Sequence, residues 1–209
     1  MIAISTAYKE ALIGIEIDEK VNFRKLDSNC KHSENILYSV DQMLNEIDKT
    51  INENDYYSVI VGPGSFTGLR IGIALIKGLM AGDKARKLIP LTTFDLLAYS
   101  YIKNFTPTDD FVCIINGLSG YYFICKYSCK GEKLSQEKMI DQTQFSQIFE
   151  KTVGLAEEGI AQENISPSPQ ELLELAKEKN NENNLISAYD VMPIYLRKSQ
   201  AESNLEGNK

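Results

Sequence analysis

The chain has 209 residues with 29 acidic against 22 basic side chains, a formal net charge of −7. That balance excludes an unaided grip on a phosphate backbone, which needs a basic surface to release counterions. Hydrophobic residues at 43% and charged ones at 24% fit a globular chain of one medium or two small domains. No apolar run approaches the roughly 18 residues that span a bilayer.

The opening, Met1 to Ser5, has no basic residue ahead of its apolar ones, so a secretion signal is not expected. Ile2–Ser5 reads as a short strand. Ala11–Ile17 alternates as a half-buried strand does, and Val21–Leu26 follows after the polar turn at 18–20. Ser33 is placed to cap a helix whose apolar positions Ile36, Leu37, Val40, Met43, Leu44 and Ile47 recur at steps of three and four. Tyr57–Val61 is a compact buried strand. It runs straight into Gly62-Pro-Gly-Ser-Phe-Thr-Gly-Leu-Arg-Ile-Gly72, a glycine-rich turn that opens a helix near Ser65 or Thr67. Leu88–Leu91 is the next extended piece, and Thr93 is placed to cap a helix through Leu96, Leu97 and Tyr101.

The stretch 104–110, with Pro107 and two acids, is the best hinge. Beyond it the pattern repeats. Phe111–Ile115 and Tyr121–Tyr127 flank a turn at 116–120. An extended piece over 133–140 precedes a helix near 143–149, a strand at 152–156 and a helix after Pro169. Strand-strand-strand-helix-strand-helix twice over predicts a duplicated α/β chain with mixed sheets. The expected division is an N-terminal lobe over 1–104, a smaller C-terminal lobe over 105–200 and a polar tail over 201–209. The cysteines Cys30, Cys113, Cys125 and Cys129 have no C-x-x-C spacing. Cys125 and Cys129 would lie about 13 Å apart along a strand, too far for a disulfide. Reduced thiols in a cytoplasmic protein are expected.

A glycine turn between a strand and a helix aims N–H groups at one point, which serves an anion or a close backbone contact. A P-loop needs Lys and then Ser or Thr after its last glycine, but Leu69 and Arg70 follow Gly68. The dinucleotide fingerprint fails too, because its third glycine comes one residue late. The helix behind the turn is apolar on two faces. Leu69, Ile73, Ile76 and Met80 share one, and Ile71, Leu75 and Leu79 share another, interleaved with Gly68, Gly72, Gly78 and Gly82. A stripe with Arg70 and Lys77 suits water. One sheet covers one face, so the glycines serve either tight internal packing or a helix contact with another chain.

The chain has one histidine, His32, so a two-histidine metal site is excluded. The adjacent pairs Glu157-Glu158 and Asp109-Asp110 diverge and do not suit paired acid–base work. Lys84, Arg86 and Lys87 read as a solvated helix end, with a partner- or RNA-facing patch as the alternative.

The eleven-residue run resembles the signature of the TsaB (YeaZ) family, a non-catalytic subunit of bacterial tRNA threonylcarbamoyladenosine synthesis. His32-Ser33, Gly120-Tyr-Tyr122 and Pro193-Ile-Tyr-Leu-Arg197 resemble further motifs of that family, and the likeness covers most of the chain. It implies two duplicated α/β lobes of the actin/sugar-kinase/Hsp70-like (ASKHA) type. It implies docking to a TsaD-like catalytic subunit through the two N-lobe helices, with a TsaE-like ATPase in the complex and a homodimer when alone. Contact with tRNA would run only through the complex. It implies no catalytic residues and no cofactor of its own, with ATP or ADP held by partners or at their interface. The implied partner interface is Gly64, Gly68, Ile71, Gly72, Leu75, Gly78, Leu79 and Gly82. Gly62, Pro63, Ser65, Thr67 and Arg70 are loop residues for an anion or partner contact. Two places depart from the family pattern: Ser5-Thr6 stands where Asp-Thr is usual, and Asn116-Gly-Leu118 where Asp-Ala-Arg is usual. The alternatives are an autonomous kinase- or peptidase-like enzyme and a homodimer of unrelated role.

Overall fold

The structure is a computed structural model and describes residues 1–27, 32–82, 85–180 and 184–196. Two five-stranded sheets carry the fold. The first contains β1 (Ile2–Ser5), β2 (Ala11–Ile17), β3 (Lys20–Leu26), β4 (Tyr56–Gly62) and β5 (Lys87–Thr92), and the second β6 (Phe111–Asn116), β7 (Tyr121–Tyr127), β8 (Lys138–Asp141), β9 (Lys151–Leu155) and β10 (Glu163–Ile165). Their strand orders, β3-β2-β1-β4-β5 and β10-β9-β6-β7-β8, are the same order read from opposite edges. In each, the first strand pairs antiparallel with the second and parallel with the fourth: Ile2 faces Ile15 and Tyr57, and Phe111 faces Tyr127 and Lys151. The duplicated α/β fold with mixed sheets is therefore present.

The helices are α1 (His32–Glu46), α2 (Phe66–Leu79), α3 (Thr93–Phe105), the single turn α4 (Gln142–Phe145) and α5 (Pro169–Asn180). α1 and α2 cover one face of the first sheet, burying Ile36, Val40 and Met43 with Ile73, Ile76 and Met80 against Ile2, Ile4 and Val59. α5 covers its other face with Leu172, Leu173 and Ala176. α3 lies under the second sheet, where Phe94, Leu97 and Tyr101 meet Phe111, Cys113 and Val153.

The two long crossover helices are thus exchanged. α3 follows the first sheet and keeps Leu96 against its Ile60, Ile89 and Leu91 but turns most of its apolar face to the second, and α5 follows the second but packs onto the first. A cut at 104/105 separates the strands but not the packing. A buried carboxylate joins the two helices: Glu171 accepts hydrogen bonds from Ser100 Oγ at 3.0 Å and Asn104 Nδ2 at 2.8 Å. From 184 the chain returns to the first sheet, where Ile186 bridges Leu88 and the Ile194 N–H donates to Val61 O at 2.7 Å.

Several local expectations change. Thr92, not Thr93, caps α3, because its Oγ1 faces the Asp95 N–H at 3.0 Å while Asp95 returns the bond to the Thr92 N–H. Thr93 is fully buried, and its hydroxyl donates to Pro63 O instead. The helix near 143–149 is one turn long, and the extended piece over 133–140 is strand only from Lys138. β10 carries no periodic signal in its three residues. Cys113, Cys125 and Cys129 are free thiols; Cys30, Lys84, Arg197, the tail 201–209 and the side chains of His32 and Ser33 lie outside the described residues. Among the described residues no helix is long and apolar enough to cross a membrane.

Candidate functional site

The glycine run leaves β4 at Gly62 (φ 129°) through a cis bond to Pro63. Ser65 caps α2, its Oγ accepting the Gly68 N–H at 3.2 Å. The turn then docks onto the loop after β1. The Ser65 N–H donates to Ala7 O at 2.9 Å, and Thr6 Oγ1 donates to Gly68 O at 2.7 Å. A Cβ on Gly64 would stand 2.6 Å from Ala7 O, on Gly68 1.9 Å from Thr6 O, and on Gly72 2.4 Å from Thr6 Oγ1. Their missing side chains admit the chain's own β1 loop. Gly68 and Gly72 are buried in this contact, the internal packing that the sequence left open, and Gly64 abuts the same loop while staying exposed.

The rest of the expected interface lies elsewhere on the helix. Ile71, Leu75 and Leu79 are half-buried at the edge of the first core. A Cβ on Gly78 or Gly82 would meet nothing within 4 Å. Ala74 is exposed between them, and on α1 Leu37 and Tyr38 are 56% and 61% exposed. α2 is therefore apolar on two sides, as its pattern predicts, with the second side half covered at Ile71, Leu75 and Leu79 and open at Ala74 and Gly78. The helix end is capped by Arg86, which donates to Leu79 O and Asn52 Oδ1. For Arg86 this matches the helix-end reading of the basic cluster, whereas Lys87 opens β5.

Thr67 and Arg70 stand exposed in the first two turns of α2. The Arg70 guanidinium lies 3.8 Å above the Phe66 ring, and its Nε donates to the Tyr195 hydroxyl at 3.0 Å. Sequence reasoning singled out Arg70 as a site residue and quoted Phe66 and Tyr195 only inside two separate motifs; Tyr195 sits 125 residues away and no local signal couples them.

Between the lobes, Ser5 and Thr6 are fully buried. Two carboxylates from the second lobe close against this loop and the turn after β6. Glu157 accepts the Lys9 N–H at 3.3 Å and Glu158 accepts the Asn116 N–H at 3.0 Å. Burial pushes the Glu158 carboxyl up to about 7, with the Asn116 N–H acting in the opposite direction and the Glu157 charge adding to the rise. Burial likewise holds the Tyr8 phenol well above its usual range. The turn itself is tight: Leu118, Ser119 and Gly120 all have positive φ, and Leu118 is 69% exposed.

The Ser65 N–H of the glycine turn is taken by Ala7 O, and the Ser5 hydroxyl is buried behind it. Among the described residues no group of three His, Cys, Asp or Glu is placed to hold a metal. An open groove of about 1090 Å³ bounded by Asp95, Tyr99, Tyr127 and Lys133 includes no residue of the glycine turn.

The model of the family described as TsaD, tRNA N6-adenosine threonylcarbamoyltransferase, matches residues 27–181. The chain is 25% identical, over an alignment of 215 residues, to the tRNA threonylcarbamoyladenosine biosynthesis protein TsaB of Haemophilus influenzae, covering 91% of this chain and 90% of that protein. Among solved structures it resembles YeaZ from Pseudomonas aeruginosa, with a TM-score of 0.77 at 18% identity over 93% of this chain and 98% of that one. It also resembles a crystal structure described as an uncharacterized protein with similarity to peptidase YEAZ from Pseudomonas aeruginosa. There the TM-score is 0.78 at 18% identity, over 94% of this chain and 98% of that one.

Proposed function

The chain belongs to the family of TsaD, tRNA N6-adenosine threonylcarbamoyltransferase, as a protein of the TsaB (YeaZ) kind, and from that premise we propose that it is a non-catalytic subunit in tRNA threonylcarbamoyladenosine synthesis. In this reading it docks a TsaD-like catalytic subunit along the outer sides of α1 and α2, in the cytoplasm, and meets tRNA only through the complex. A TsaE-like ATPase joins the assembly, and without the catalytic subunit two copies pair through the same helices. It carries no cofactor; any ATP or ADP belongs to a partner or to the interface with one.

One observation carries the reading. The turn that would cradle a phosphate closes on the chain's own β1 loop, while the helix it opens keeps an apolar side half-buried at Ile71 and Leu75 and exposed at Ala74 and Gly78. Apolar surface at a helix centre gains free energy when covered, at roughly 25 cal/mol per Å², and small residues let the covering backbone come close. The test is reconstitution: purified catalytic subunit, ATPase and tRNA, with and without this chain, assayed for the modified nucleoside. Loss of product on omission is expected, together with no ATP hydrolysis or peptide cleavage by the chain alone. Undiminished product on omission, or turnover by the isolated chain, would overturn the proposal.

A further inference from the structure

Positions Phe66, Arg70, Ala74 and Gly78 follow each other at intervals of four along α2, and all four are exposed. Residues at that spacing form one ridge, so the ridge falls in height from an aromatic ring to no side chain. At its tall end the guanidinium of Arg70 is held from two sides. The Phe66 ring lies 3.8 Å below it, and the Tyr195 hydroxyl accepts from its Nε at 3.0 Å. The two rings are themselves 5.0 Å apart. Tyr195 is fixed in turn by the neighbouring Ile194 N–H on Val61 O. An arginine has five N–H donors. This arrangement uses only the Nε one among the described residues and leaves the terminal fork to solvent. No acidic side chain stands in the first turn of α2 to meet it.

We propose that Arg70, clamped by Phe66 and Tyr195, receives a carboxylate of the protein partner that lies along α1 and α2. The proposal rests on the partner reading above and adds the chemistry of the contact. A planar fork held in place by stacking loses little freedom on binding and matches a carboxylate with two parallel hydrogen bonds. Rings 42% and 43% exposed on either side would exclude water from that pair once covered. The charge balance selects the carboxylate over a polyanion. A chain of net −7 repels a run of phosphates but accepts one acidic side chain at one fixed cation.

The test is titration calorimetry of the full chain against the purified TsaD-like subunit, using wild type, Arg70→Gln, Arg70→Lys and Tyr195→Phe, each first shown to melt as wild type does. Arg70→Gln is expected to weaken binding at least tenfold. Arg70→Lys should recover little of the loss, because an ammonium lacks the fork, and Tyr195→Phe should weaken binding several-fold. Raising the salt should weaken wild type and leave Arg70→Gln nearly unchanged. Arg70→Gln binding at wild-type affinity would overturn the inference and leave the partner reading intact. No binding by wild type would overturn both. Loss in Arg70→Gln of a tRNA affinity or a self-association shown by wild type alone, with subunit binding unchanged, would assign the arginine to a phosphate or to a second copy and overturn the carboxylate.

Discussion

Gly68→Ala is the sharpest probe of how the glycine turn is used. The new methyl carbon would stand 1.9 Å from the Thr6 carbonyl oxygen, whereas real Cβ contacts essentially never fall below 3.0 Å. The obstacle is backbone, so no side chain can swing away, and the β1 loop must retreat by more than an ångström. Overpacking of this kind costs up to about 3 kcal/mol. Separating the two segments also breaks the Thr6 Oγ1 to Gly68 O hydrogen bond, for about 1 kcal/mol. Alanine returns roughly 1 kcal/mol through helix propensity, leaving a net loss near 3 kcal/mol. For a chain of this length each kcal/mol moves the melting temperature by about 2–4 °C, so a fall of roughly 6–12 °C is expected by differential scanning calorimetry. Gly78→Ala is the matched control. Its Cβ meets nothing within 4 Å, so only the propensity gain acts and the melting temperature should rise by about 2–4 °C. If Gly68→Ala melts with wild type, or Gly78→Ala melts lower, the division of α2 into an inner and an outer set of glycines is wrong.

Other consequences follow from single contacts. The Glu158 carboxyl has its folded pKa raised from 4.5 to about 7, so its contribution to stability is fully present below pH 4.5 and is lost as pH rises through 7. Discounted for its partial exposure, that amounts to about 1–2 kcal/mol. Urea unfolding at pH 5 and pH 8 should show wild type losing that much more than Glu158→Gln; equal slopes would contradict it. Thr92→Ala removes the α3 cap and should cost about 1 kcal/mol in the same assay, and an unchanged midpoint would return the cap to Thr93. Leu118 stands at φ 63° and is largely exposed. Leu118→Gly should therefore stabilise the chain by about 0.5–1 kcal/mol, and destabilisation would show that the leucine has packing to lose.

The parts of the fold legible in the sequence are those decided within one element. The steps of three and four in α1, the two apolar faces of α2 and the alternation in β2 each report which side must be buried. The repeated order of strands and helices reports the duplication. What stayed illegible depends on partners far along the chain. Glycine at 64, 68 and 72 looks the same whether the approaching backbone is Thr6-Ala7 or another molecule, and that contact spans 62 residues. The exchange of α3 and α5 is hidden for the same reason: each helix has an apolar face, and nothing local says which sheet it will meet. β10 pairs with β9 over only Glu163–Ile165, too short for a period to show. At the site, Arg70 was legible as a charged residue in an apolar helix, but its two aromatic supports were not. Glu157 and Glu158 looked like an idle pair, but Glu157 reaches across to the Lys9 N–H and Glu158 holds the Asn116 N–H of its own lobe.

The central claim is that the uncovered side of α2 seats a catalytic partner. Size-exclusion chromatography with light scattering, on the chain mixed with a purified TsaD-like subunit, tests it most directly when wild type is run beside Leu75→Glu. A heterodimer is expected for wild type and two separate species for the variant, with the variant's melting temperature within a few degrees of wild type. Separate elution of the wild-type mixture, or a heterodimer that survives Leu75→Glu, would contradict it.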